Sequence, residues 1–243
     1  MQTDKQVRWW TAWRRRQAMA WGGLLDEHEI LLAALSRQQS GGVRVMVFEH
    51  LHAPGALVAA AERDDWLVQT LRQSGAHLPS GLRTMALALR EGRCRHGTLR
   101  WPADADADLL EAEVQLEAAT ALGVGPDEVG FDFHGPVVEH PVSQRGHEVS
   151  WAACLLSELA RWREHARSAG WRLPIVEPEQ QAARRAALCL RGDLLLHAAQ
   201  SPQDWQFATV PERELSEPQW QQLQASPMWG PLVACGAALG ALR

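Results

Sequence analysis

The sequence predicts a mixed α/β fold, and three observations carry that reading. Short apolar runs bounded by turn residues occur at Ile30 to Leu35, Val43 to Phe48 and Thr84 to Leu89, as expected of strands. Apolar residues at spacings of three and four recur between Leu109 and Ala119 and between Leu159 and Ala169, as expected of helices. The two kinds of segment alternate along the chain, which is the pattern of a layered α/β domain.

Taken in order, the first two apolar runs are separated by Gln38, Gln39, Ser40, Gly41 and Gly42, which predicts a hairpin with a loose turn. Gly22 and Gly23 stand before the first of these strands. Asp64 and Asp65 open a helix through Leu67, Val68 and Leu71 that Gly75 closes. Thr84 to Leu89 is a continuous apolar run, predicting a buried strand. Leu109, Ala112, Leu116 and Ala119 then line one helix face, with Asp108 and Glu111 as a capping box and Gly123 as the stop. Val129 to Phe133 alternates as a half-buried strand does, and Val149 to Leu155 is a further strand. Leu159, Trp162, Ala166 and Ala169 form a helix stripe stopped by Gly170. Leu173 to Glu177 predicts a strand whose Pro174 suits a sheet edge or a strand start. Ala186 to Leu190 and Leu194 to Ala199 flank Gly192 and Asp193 as a second hairpin, Ser201 to Pro231 reads as loop-heavy, and Pro231 to Leu242 as a packed C-terminal helix.

Composition narrows the function. With 243 residues, 46% of them hydrophobic and 22% charged, the chain can bury a core and is not a disordered tail. A formal net charge of −5 argues against nucleic acid as a partner. The Pro231–Leu242 segment is shorter than the roughly 20 apolar residues a membrane span needs. The N-terminus sets Trp9, Trp10, Trp13 and Trp21 around Arg14, Arg15 and Arg16 without the pattern of a signal peptide. Two readings stay open for it: a segment lying on an anionic membrane surface, or a flexible leader before the first strand. Cys94, Cys154, Cys189 and Cys235 form no CxxC pair and read as reduced thiols, three of them set among Ala and Leu.

Catalytic and metal motifs fail on spacing. The Asp104–Asp108 run begins like a calcium loop, but Leu109 and Gln115 occupy the positions that need Gly and Glu. Acidic residues before a helix satisfy its dipole instead. Among ten histidines, His50 and His52 lie two apart, and His134, His140 and His147 lie near Glu139 and Glu148. None sits at a ligand spacing on a well-defined element, so they read as surface or loop residues. No GxSxG, GxxxxGK[ST] or GxGxxG occurs, which removes the motif basis for serine hydrolase, P-loop and Rossmann chemistry. Catalytic, cofactor-binding and metal-binding residues are therefore all read as none.

Trp101-Pro102, then Leu109 to Ala118, then Asp127 to Phe133 follow one another in an order that resembles the PilM family of type IV pilus assembly proteins. Val149 to Ala153, Ser168 to Trp171 and the strand reaching Val176-Glu177 are similar to that family's next portion, and Ala237 to Arg243 to its Ala-Leu-Gly ending. The resemblance implies an actin-like (ribonuclease H-like) fold with an inserted small subdomain. Residues 1–21 would be the Arg/Trp-rich leader, 22–92 the first-lobe core, 93–172 the inserted subdomain, and 173–243 the return to the first lobe with a reduced second lobe. It also implies a cytoplasmic protein, peripheral to the inner membrane, that binds the N-terminal peptide of a bitopic PilN-like partner. Self-association and direct membrane contact are left open.

Departures from the family pattern point to a short, divergent, HofM-like member. Laid on the family's first phosphate turn, Gly22-Gly23-Leu24-Leu25-Asp26 puts Leu24 where an Asp should be, and a leucine can neither hold a cation nor orient water. No second phosphate turn follows Glu177, and Cys235-Gly236-Ala237 is a poor adenosine turn. The expectation is a non-catalytic scaffold with a degenerate nucleotide site and no cofactor. The alternatives are an actin-like ATP-binding protein of pilus assembly, or the cytoplasmic domain of a type II secretion component such as GspL.

Overall fold

The computed structural model describes residues 19–39, 41–55, 59–79, 82–102, 109–134 and 147–242. The cationic leader up to residue 18, the Asp104–Asp108 run and His140 lie outside the described residues, as does Asp108 of the expected capping box. The chain forms two compact units, one built from its two ends and one from Leu89–Glu164. The sequence places the inserted segment at 93–172.

The larger unit holds six strands: β1 (Met19–Leu25), β2 (Glu29–Arg37), β3 (Val43–His52), β4 (Thr84–Leu89), β8 (Arg172–Pro178) and β9 (Gln206–Phe207). Their order is β8-β4-β1-β2-β3-β9. β2 runs antiparallel to both β1 and β3, whereas β4 runs parallel to β1. The sheet is thus a three-strand antiparallel meander with a parallel fourth strand beside the first.

β1 is the central strand, and Gly22 and Gly23 lie within it rather than before it. The β2–β3 turn closes with Gln38 N donating to Gly42 O at 2.7 Å and Gly41 N to Gln38 O at 3.1 Å. Helix α1 (Ala60–Ser74) carries the chain from β3 to β4, as a parallel pairing requires. It starts four residues before the predicted Asp64, because Glu62 reaches back to Ala59 N and caps the first turn earlier.

Residues alternate between the two faces of this sheet. Trp21, Ile30, Leu32, Met85 and Leu87 share one face and are all 1% exposed or less. There Trp21 meets Trp171 edge-on at 5.4 Å, and the Trp171 indole N–H donates to Leu71 O in α1 at 2.8 Å. Burial of each such side chain stabilises the fold by roughly 1.5–3 kcal/mol.

Leu24, Leu31, Ala33, Leu35, Ala86 and Ala88 point to the other face, against α4 (Glu179–Cys189) and α7 (Trp229–Ala241). Ala182, Ala183, Ala186 and Ala187 recur at helical spacing, so Ala186–Leu190 belongs to a helix and not to the predicted hairpin strand. The other expected strand is the single turn α5 (Leu194–His197). The His197 ring holds this loop through Arg191 O at 2.5 Å and Gln200 Oε1 at 2.8 Å. The predicted loop-heavy stretch contains α6 (Glu217–Gln224) as well as β9, which pairs with β3. After β8 the chain thus adds helices and one short strand to the first sheet.

The smaller unit has a three-stranded antiparallel sheet, β5 (Cys94–Trp101), β7 (His147–Leu155) and β6 (Val129–His134), in that order. Helix α2 (Leu110–Leu122) packs Val114, Ala118 and Ala119 on Val129, Val149, Trp151 and Ala153. This corrects the predicted stripe: Leu109 is 60% and Leu116 52% exposed. α2 has apolar residues on two sides, and the sequence period alone could not choose between them. Helix α3 (Leu156–Ser168) follows β7, and Gly123 and Gly170 end α2 and α3 as predicted.

Glycine is required where the backbone of α7 touches that of β1 or α4. A Cβ on Gly22 would stand 2.1 Å from Ala238 N, and one on Gly236 would stand 1.8 Å from Ala182 O. We predict that Gly22→Ala and Gly236→Ala each lower stability by about 1–3 kcal/mol in urea unfolding, as α7 is pushed off its neighbours. Gly92→Ala, where a Cβ meets nothing within 4 Å, should stay within about 0.5 kcal/mol of the parent.

Candidate functional site

The sequence directed attention to Leu24 and the turn after it. Leu24 is 1% exposed, pairs with Leu31 across β2 and Ala88 across β4, and points into the α7 layer. The β1–β2 connection is a tight turn in which Asp26 N donates to Glu29 O at 2.8 Å and Asp26 Oδ1 accepts from Glu27 N at 2.5 Å. Asp26 therefore orders its own turn.

Above Leu24 the helical layer is drawn down onto the strand. Besides the Gly22 contact, a Cβ on Gly230 would meet the Leu31 side chain at 2.8 Å. Arg185 in α4 ties this layer together. Its guanidinium forks onto Glu177 of β8 at 2.8 and 2.6 Å and donates to Gly236 O of α7 at 2.8 Å. Burial works against the charge of Arg185, but the hydrogen bonds and charge of Glu177 outweigh it and hold the guanidinium above its ordinary range. Beside this clamp lies a cavity of about 30 Å³, lined by Arg37, Val43, Arg185, Cys189, Ala208 and Leu242 among others. That is room for about one water molecule.

The four thiols are free and buried. Burial alone pushes the Cys235 thiol above its ordinary range, and burial with the nearby Glu158 carboxylate does the same to Cys154. Neither setting makes a nucleophile.

The histidines divide. His134 is an exposed residue on β6. His50 and His52 leave the same face of β3, and the strand register sets Glu29 directly opposite His52. His50 Nε2 lies 3.1 Å from Glu29 Oε2, and the two imidazole rings are 4.2 Å apart, tilted at 49°. One ligand atom from each of the three residues falls within 4.8 Å of the others. The sequence reading missed this grouping because Glu29 lies far away along the chain. An HxH pair closing the second strand of a hairpin, with an acidic residue opening the first, is the signal that could have found it.

In the smaller unit β5 and β6 are the edge strands, each paired only with β7 among the described residues. α2 shows Leu109, Ala112 and Leu116 at the surface at helical spacing. Among the described residues no helix is long and apolar enough to cross a membrane.

No protein-family model matches the chain, and no curated protein matches it. Solved structures do. A chain of the PilM–PilN type IV pilus biogenesis complex aligns at 17% identity and a TM-score of 0.53, covering 70% of this chain and 50% of the other. This protein thus spans about half the length of that relative. The cytoplasmic domain of EpsL, an inner-membrane component of the Vibrio cholerae type II secretion system, aligns at 15% identity and a TM-score of 0.53. It covers 90% of this chain and 94% of its own. At these identities the likeness establishes the fold, which is actin-like.

The Arg185–Glu177 clamp makes a direct prediction. Glu177→Ala leaves a buried guanidinium without its carboxylate and should destabilise the protein by about 3 kcal/mol. Arg185→Met with Glu177→Leu should recover much of that loss, measured by urea denaturation of the single and double variants.

Proposed function

We propose that the protein is a non-catalytic assembly component of a type IV pilus or a related secretion machine. It would act as a scaffold that captures the N-terminal cytoplasmic peptide of a PilN-like inner-membrane partner. The observation that carries this reading is the shared fold with the PilM–PilN complex chain, together with the PilM-like order of sequence blocks from Trp101 to Glu177. The seating of α7 on Gly22 and the burial of Leu24 favour a scaffold over a nucleotide-driven device. The smaller unit supplies the docking surface: the exposed Leu109–Ala112–Leu116 stripe of α2 gives apolar anchors, and the open edges of β5 and β6 offer backbone hydrogen bonds. In the cell the protein would sit in the cytoplasm beside the inner membrane.

A second reading is favoured by coverage. The EpsL domain matches nearly end to end, which supports the cytoplasmic part of a type II secretion component. Finding PilN, PilO and PilP relatives encoded beside this gene would support the pilus reading, and finding secretion genes there would support the second.

The partner's N-terminal peptide should bind saturably in a fluorescence-anisotropy titration, and Leu116→Glu should weaken it tenfold or more while leaving the melting temperature unchanged. No binding at high micromolar peptide counts against the reading. Calorimetry with ATP, with and without magnesium, should give no saturable heat; clear binding would favour the ATP-dependent alternative.

A further inference from the structure

We propose that Glu29, His50 and His52 form a binding site for a divalent late-transition metal ion, with zinc as the expected ligand. Two imidazoles and one carboxylate are a ligand set that suits zinc and leaves one position of a tetrahedron for water or a donor from another molecule. With metal–ligand bonds of roughly 2.0–2.1 Å, the donor atoms of a tetrahedral site lie about 3.3 Å apart. The 3.1 Å separation of His50 Nε2 and Glu29 Oε2 is already close to that edge. All three donor atoms lie within 4.8 Å of one another, so His52 needs only a small rotation to complete the set.

The backbone supports this arrangement. β3 sends His50 and His52 to one face, and the antiparallel register brings Glu29 opposite His52 and diagonal to His50. Leu31, the strand partner of His50, is 2% exposed and packs against Gly230 of α7, which anchors the end of the hairpin that carries the ligands. Both histidines are exposed at the surface, so side-chain adjustment disturbs no core contact. A simple His50–Glu29 hydrogen bond would explain two of the three residues. It would not explain the second imidazole packed against the first.

The test uses the full chain without an affinity tag, stripped with chelator and titrated with zinc chloride by calorimetry. One zinc per chain should bind, with affinity falling at least tenfold in His50→Ala and in His52→Ala, and less steeply in Glu29→Gln. His96→Ala, an exposed histidine in the smaller unit, should bind as the parent does. In the parent, the imidazole nitrogen resonances of two histidines should shift together on adding zinc, a readout that needs no variant to fold. Unchanged affinity in the His50→Ala/His52→Ala double variant, no uptake at millimolar zinc, or shifts confined to other histidines would each overturn the proposal.

Discussion

Helix α7 lies on the central strand because Gly22 carries no side chain, and on α4 because Gly236 carries none. At Gly22 the strand backbone meets the helix backbone at Ala234 and Ala238, and at Gly236 the helix meets Ala182 of α4. Contacts this close place strand and two helices at one fixed spacing, which alanine fills and larger side chains would open. Other features follow from that spacing. α4 presents Ala182, Ala183, Ala186 and Ala187 to the same layer, Cys235 is fully enclosed, and Arg185 can reach both Glu177 and the Gly236 carbonyl.

The same spacing shapes the functional reading. A phosphate-binding turn needs polar groups that can reach the anion and space beside them. Here that strand ends in Leu24 and Leu25, both 2% exposed or less, and the following turn satisfies its own hydrogen bonds through Asp26. The face over Leu24 is filled with apolar side chains, which favour rigid packing over a hinge.

The sequence revealed those elements whose pattern admits one interpretation. Thr84–Leu89 is apolar throughout and is the buried strand β4. Trp162 and Ala166 are the buried stripe of α3, Ala169 is buried just past its end, and Pro174 sits on the edge strand β8. Elements were misread where one local pattern fits two structures. Gly22 and Gly23 suggest a turn when viewed alone, yet the strand needs Gly22 only because a helix distant in sequence presses on it. Ala186–Leu190 is short and apolar enough for a strand until Ala182 and Ala183 are included in the period. On α2, Leu109 and Leu116 make a better stripe than Val114 and Ala118, and the tertiary contacts with Val129 and Trp151 decide the matter. The His50–His52–Glu29 grouping depends on hairpin register, which hydrophobic pattern and turn geometry set but individual ligand motifs do not display.

These misreadings share a cause with the candidate sites. An exposed Leu116 on a helix that already buries another face contributes little to folding, and so does a pair of histidines at the solvent end of a hairpin. Residues that the fold leaves outside its cores are free to serve contacts made by another molecule. At the hairpin end, Leu31 lies in the core beneath the exposed imidazole of His50, held by β2 and by α7. A ligand set carried on such a strand loses little freedom on binding, because the backbone that positions it is already fixed by the glycine contacts of the central layer.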